Sequence, residues 1–186
     1  PPRQMTPKKL NLTEEEAKQT YKILKDMLPL LPKKGVDLHP CMLPSGYRVR
    51  LTPSDVAASM CLLAWVLQED VLLDEAAGVI PLIGSGRHLA ARLLLHRPQS
   101  DIRRNLLFEL LKNPEEHTRN AACQMVRRLS LTKEDFRRIE ANMRYKKSRS
   151  DTINLLKQQE PTELRFCICR LLKEKSEESH MGALEL

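Results

Sequence analysis

The sequence predicts an all-α fold, an α-solenoid of stacked antiparallel helix pairs, on three observations. The first is an internal repeat: Arg119, Ala122 and Val126 are answered thirty positions later by Arg149, Thr152 and Leu156, and Leu186 continues the last column. In a second register Phe136, Ile139 and Met143 are answered twenty-eight positions later by Leu164, Cys167 and Leu171. A unit this short cannot bury its own apolar face, so it must stack on its neighbours. The second is composition: three Phe, three Tyr and one Trp among abundant Leu suit layered helices better than a β-sandwich. The third is punctuation. Helix-start signals recur at short intervals from Ser100 onward, and short connections force consecutive helices to run antiparallel.

Thr13 followed by Glu16 is a capping box, in which hydroxyl and carboxylate each take one of the backbone donors left over at a helix start. Ala17, Tyr21, Leu24 and Leu28 then form one apolar stripe, stopped by Pro29 and Pro32. The following segment, with Pro32, Gly35, Pro40, Pro44 and Gly46, reads as an ordered loop or linker, and 46–51 alternates enough for one short extended piece without a visible partner. Thr52-Pro53 starts the next helix, with a capping hydroxyl and a proline where its missing N–H costs nothing. Val56 to Leu67 is apolar nearly all round and is expected to be the most buried element.

A short helix is expected near Val71 to Ala77, then a break at Gly78, Pro81, Gly84 and Gly86, then helical spacing from Arg87 to His96. Ser100 caps a helix whose inner face reads Ile102, Leu106, Leu107, Leu110 and Leu111. Asn113-Pro114, Thr132, Pro161 and Ser176 open the later ones, with helix lengths of ten to sixteen residues expected. The expected organisation is an N-terminal helix plus a Pro/Gly-containing loop over 1–52 and helical repeats over 53–186, as one continuous domain. The chain opens on Pro1-Pro2 and stops at Leu184-Glu185-Leu186 inside an apolar helical pattern, which reads as a piece of a longer protein.

At 41% apolar and 30% charged residues the composition is that of an ordinary globular domain and argues against disorder. The longest apolar run, Val56 to Leu67, is too short to span a bilayer, so no membrane partner is expected. Five cysteines, an odd number without CxxC spacing, point to reduced thiols and a cytoplasmic location.

No motif carries chemistry. Cys167 and Cys169 lie about 200° apart around a helix and cannot share one ion without unwinding it. His39 and Cys41 lack the orienting third group that a nucleophile–base pair needs. Gly84-Ser85-Gly86-Arg87 has no Gly-Lys-Ser/Thr and reads as an inter-helix turn. The carboxylate runs at Glu14-Glu15-Glu16, Glu115-Glu116 and Glu177-Glu178 sit in first helical turns, where the helix dipole favours them. No cofactor, metal or catalytic residue is therefore assigned. A net charge of +7 leaves one candidate binding face, composed of Arg127, Arg128, Arg137, Arg138, Arg144, Lys146 and Lys147. Arg119 and Arg149, at equivalent repeat positions, are read as structural.

From Leu131 onward, Leu131-Thr132-Lys133-Glu134-Asp135, the basic stretch Met143 to Arg149, Ile153 to Leu156, Leu171 to Lys175 and Met181 to Leu186 resemble the HEAT-like repeats of a bacterial family. These are the large uncharacterised proteins related to the molybdate metabolism regulator, several of which carry a WGR module. The match covers the last third of the chain. It departs at Ser179, where the earlier units have arginine, and no WGR sequence is present. The resemblance implies HEAT-like antiparallel helix pairs inside a longer bacterial cytoplasmic protein. The expected role is a non-catalytic scaffold that binds a protein partner or the remaining domains of its parent. The alternatives are nucleic-acid binding through a basic face, and part of an enzyme whose active site lies mostly outside this segment.

Overall fold

The computed structural model describes residues 6–38, 49–96 and 98–186. Among them it is all-α apart from one two-stranded ribbon, with ten α-helices and five short 3-10 turns. The chain divides within the fifth helix into two compact units, up to Arg103 and from Arg104.

In the first unit α1 (Glu14–Met27) begins at the capping box of Thr13 and Glu16 and buries Ala17 and Tyr21. The chain then forms an antiparallel ribbon of β1 (Val36–Leu38) with β2 (Val49–Leu51), Val36 facing Leu51 and Leu38 facing Val49. The extended piece expected near Leu51 thus has a partner, one that sequence could not supply because β1 is only three residues long. Gly35 makes the pairing possible. Its φ is +74°, and a Cβ there would stand 2.4 Å from the Leu51 carbonyl oxygen, so only glycine lets the chain turn against β2.

Thr52 and Asp55 form a second capping box at the start of α2 (Pro53–Leu67), with Pro53 in its first turn. This helix buries Val56, Ala57, Met60, Cys61, Leu63, Ala64, Trp65 and Val66, as expected of a helix apolar all round. It packs against α1, α3 (Asp70–Val79) and α4 (Arg87–Leu94), so it is the centre of the unit. Each fully buried Val, Leu or Met contributes about 1.5–3 kcal/mol. The Gly84–Arg87 segment is a turn between helices: the Gly84 N–H donates to Ser54 Oγ, and Arg87 folds back onto the Ile83 and Pro81 carbonyls.

α5 (Asp101–Leu110) is capped by Ser100, whose Oγ accepts from the Arg103 N–H. The inner face of α5 differs from the expected one at Ile102. Ile102 is 57% exposed, while Arg103 is buried and reaches Asp74 at 2.7 Å and Asp70 at 2.8 Å. The carboxylates of α3 draw Arg103 inward, and Ile102, one residue earlier and about 100° around the helix, is turned out. Leu107, Leu110 and Leu111 are buried as expected.

The second unit continues through α6 (Glu116–Val126), α7 (Lys133–Glu140), α8 (Arg149–Leu156), α9 (Pro161–Leu171) and α10 (Glu177–Glu185). α5, α6 and α9 are 10 to 11 residues long, within the expected range, whereas α7, α8 and α10, at 8 to 9 residues, are shorter than expected; 3-10 turns follow α7 and precede α8. α7 packs on α8, α8 on α6 and α10, and α9 on α10. Ile139, Met143, Leu155, Leu156 and Leu171 are fully buried between them. Gly182 of α10 lies directly on Met143: an added Cβ would fall 2.2 Å from the sulfur, so the absence of a side chain sets how closely α10 approaches the turn after α7.

Candidate functional site

The organising chemistry of the second unit is a set of charged pairs joining helices two apart in sequence. Arg104 of α5 holds Asp135 of α7 at 2.5 Å, Lys133 of α7 holds Glu163 of α9 at 2.7 Å, and Arg170 of α9 holds Glu140 of α7 at 2.6 Å. Arg138 of α7 also donates to the Asn105 side chain of α5. On the other set of helices Arg119 of α6 faces Asp151 of α8 at 3.7 Å, and Arg149 of α8 bonds Glu178 of α10 with Glu185 at 3.5 Å. The hydrogen-bonded partners stand 29 to 33 residues apart in the chain.

Asp135 has the most demanding position. It completes the capping box of Thr132 at the start of α7, accepting from the Thr132 N–H and hydroxyl at 2.8 Å each, while Arg104 reaches it from α5. Burial pushes its carboxyl up, but the hydrogen bonds from Arg104 and Thr132 outweigh that and hold it below the ordinary value. The Arg104 guanidinium also lies 5.7 Å from the centre of the Phe108 ring, which fixes its stem. Arg119 is buried and donates to the Asn113 and Pro114 carbonyls of the turn before its own helix, so it closes that turn as well as facing α8. Glu140 raises the Arg170 guanidinium above its usual range through hydrogen bonding.

The seven residues of the expected basic face are all exposed, but they are of three kinds. Arg137 and Arg138 lie on the body of α7 and pair with Glu140 and Glu134. Arg127 and Arg128 follow α6 at one end of α7; Arg144, Lys146 and Lys147 follow its other end. The run from Thr132 to Arg144 separates these two groups by roughly 20 Å at helical rise, so they occupy opposite edges. Lysines that sequence reasoning missed extend both edges: Lys157 after α8 on the first, Lys173 and Lys175 after α9 on the second. None of Arg127, Arg128, Lys146, Lys147, Lys157, Lys173 and Lys175 has an ion-pair partner within 4.0 Å among the described residues. The cations on helix bodies are mostly matched, and those on the turns, apart from Lys112 with its Glu109 partner, are left facing solvent.

The first unit holds an open groove of about 370 Å³ between α1 and α3. Lys18, Lys22 and Lys25 line it against Asp26, Glu69 and Glu75, so it is neutral, and Lys18 and Lys25 are already paired with Glu69 and Glu75. Tyr21 donates to the Leu72 carbonyl at its floor, and burial raises its phenol above the usual range. Nothing there selects a charged ligand.

Cys61, Cys123 and Cys167 are buried free thiols pushed up to about 12 by burial, and Cys169 is exposed. Among the described residues no three His, Cys, Asp or Glu side chains converge as a metal site would require, and no helix is long and apolar enough to cross a membrane. His39 and Cys41 lie outside the described residues.

One family model, described as a family of unknown function (DUF5724), matches residues 3–186. No curated protein and no solved structure matches the chain.

Proposed function

This chain belongs to that family of unknown function, and we propose from its own geometry that it is a non-catalytic, HEAT-like α-solenoid scaffold that presents its turns to a protein partner. In this reading α5, α7 and α9 form one layer, and α6, α8 and α10 the other. The solenoid would be a cytoplasmic segment of a larger bacterial protein of the kind related to the molybdate metabolism regulator. The observation that carries the reading is the set of charged pairs between helices two apart, because ties at a nearly constant sequence separation are what lateral stacking of similar units requires. Arg119 and Arg149, at equivalent positions, each reach an acid of the following helix pair and so hold register.

Nucleic-acid binding is the second reading, favoured by the unmatched turn cations. It is weaker because those cations are divided between two edges roughly 20 Å apart with paired residues between them.

Chromatography of cell extract on the immobilised chain, with and without nuclease, separates the two readings. Protein partners that stay bound after nuclease treatment are expected. Retention that disappears with nuclease and falls steeply between about 50 and about 200 mM salt would overturn the scaffold reading in favour of nucleic acid.

A further inference from the structure

We infer that the edge formed by the turn between α7 and α8 and the turn between α9 and α10 docks an acidic polypeptide segment, deepening the scaffold reading on which it rests. The two turns are neighbours. Arg149, directly after the first, bonds Glu178, directly after the second, and Met143 of the first packs on Gly182 of α10.

Both turns are held by side-chain hydrogen bonds. Ser148 is buried and its hydroxyl donates to the Tyr145 carbonyl at 3.1 Å, while Thr152 donates to the Ser148 carbonyl at 2.8 Å. In the second turn the Ser179 hydroxyl donates to the Glu174 carboxylate at 2.6 Å, and the His180 ring Nε2 lies 2.6 Å from the Glu174 carbonyl oxygen. Side chains carried on such turns lose little backbone freedom on binding.

Five cations project from this edge: Arg144, Lys146, Lys147, Lys173 and Lys175. Arg144 bonds only the Ala141 carbonyl of its own turn. The acids nearby are Glu174, engaged by Ser179, Glu178 and Glu185, both engaged by Arg149, Glu140, paired with Arg170, and the exposed Glu177, so the five edge cations outnumber the one nearby acid left without a partner among the described residues and the edge is positive. The ends of α7 and α9 meet there the starts of α8 and α10, whose dipoles oppose, and side-chain charge decides the local field.

Two apolar side chains stand among these cations, Tyr145 at 43% and Leu172 at 49% exposure. A lone aromatic gives little base stacking to a nucleic acid, whose binding grooves present successive aromatic platforms. Cations beside an aliphatic and an aromatic contact instead suit a peptide of acidic and apolar residues.

The test is fluorescence anisotropy with three probes, a polyglutamate peptide, an alternating Glu/Leu peptide and oligothymidylate, against the full chain and its variants. The paired change Lys146→Glu with Lys147→Glu alters exposed side chains without internal partners, and should weaken both peptides about tenfold or more. The pair Arg127→Glu with Arg128→Glu, on the opposite edge, should change them less than about threefold. Leu172→Ser should weaken the Glu/Leu peptide about fivefold and leave polyglutamate unchanged. Circular dichroism of each variant confirms the fold. Equal loss from both edges, no peptide binding, or tighter binding of oligothymidylate than of either peptide would overturn the docking proposal. The scaffold reading fails separately, if the charged ties between helices two apart prove energetically uncoupled.

Discussion

Replacing Asp135 by alanine removes two supports at once, and their sizes follow from the structure. The carboxylate closes the capping box at the start of α7, whose loss costs about 1 kcal/mol. It also neutralises Arg104 of α5 from a buried position. Breaking a fully buried pair costs about 3–5 kcal/mol, but the Arg104 side chain is 25% exposed and already reaches the Ser130 carbonyl, so much of its charge can return to water. The sum is a loss of about 2–3 kcal/mol. Native-state hydrogen exchange reads it locally, as reduced protection of amides in α7 and also in α5. A double-mutant cycle with Arg104→Met should give a coupling of about 1–2 kcal/mol. A loss below about 0.5 kcal/mol, or one confined to α7, would mean that the carboxylate is a local cap and no tie between helices.

Three further outcomes are expected. Because the Asp135 carboxyl is held below its ordinary value of 3.8, its contribution is fully present above that pH and is lost as pH falls through the lower folded value; acid unfolding monitored by circular dichroism should begin in that window and be less steep in Asp135→Asn. Gly182→Ala gains about 1 kcal/mol of helix propensity but drives a Cβ into Met143, for a net loss of about 1–2 kcal/mol in urea titration; in a Met143→Ala background it should become neutral or stabilising. Thiol titration with a disulfide reagent at pH 8 should modify Cys169 rapidly and Cys61, Cys123 and Cys167 only on unfolding, since burial pushes those three thiols up to about 12.

Much of the helical framework was legible because its signals are local. Thr13, Thr52, Thr132 and Ser176 announce helix starts through side chains that bond backbone donors three residues on, and all four do so. The apolar run from Val56 marks the central helix for the same reason: a helix without a polar face must be covered on all sides. What depended on distant partners was hidden. Arg103 turns inward and Ile102 outward because Asp70 and Asp74 sit on another helix, and periodicity alone favours the isoleucine. The ribbon of β1 and β2 rests on three-residue strands, too short for any alternation to register.

The basic residues divide along the same line. Their exposure followed from charge, but Arg138 and Arg137 are tied by Asn105, Glu134 and Glu140, whereas the turn lysines Lys173 and Lys175 were overlooked because no dense run marks them. The missed signal was pairwise. Opposite charges about thirty residues apart, such as Lys133 with Glu163 and Glu140 with Arg170, would have located the ties between helices.

Electron spin–spin distances show whether helices from α5 onward stack laterally as successive units. Nitroxide labels on the exposed Cys169 of α9 and on a cysteine placed at the exposed Glu109 of α5, with Cys41 replaced by serine, report whether α7 lies between the two helices. At a helix spacing of about 8–10 Å, lateral stacking places α5 and α9 about 20 Å apart. A separation of about 10 Å, as in a closed bundle with α5 against α9, would rule that stacking out.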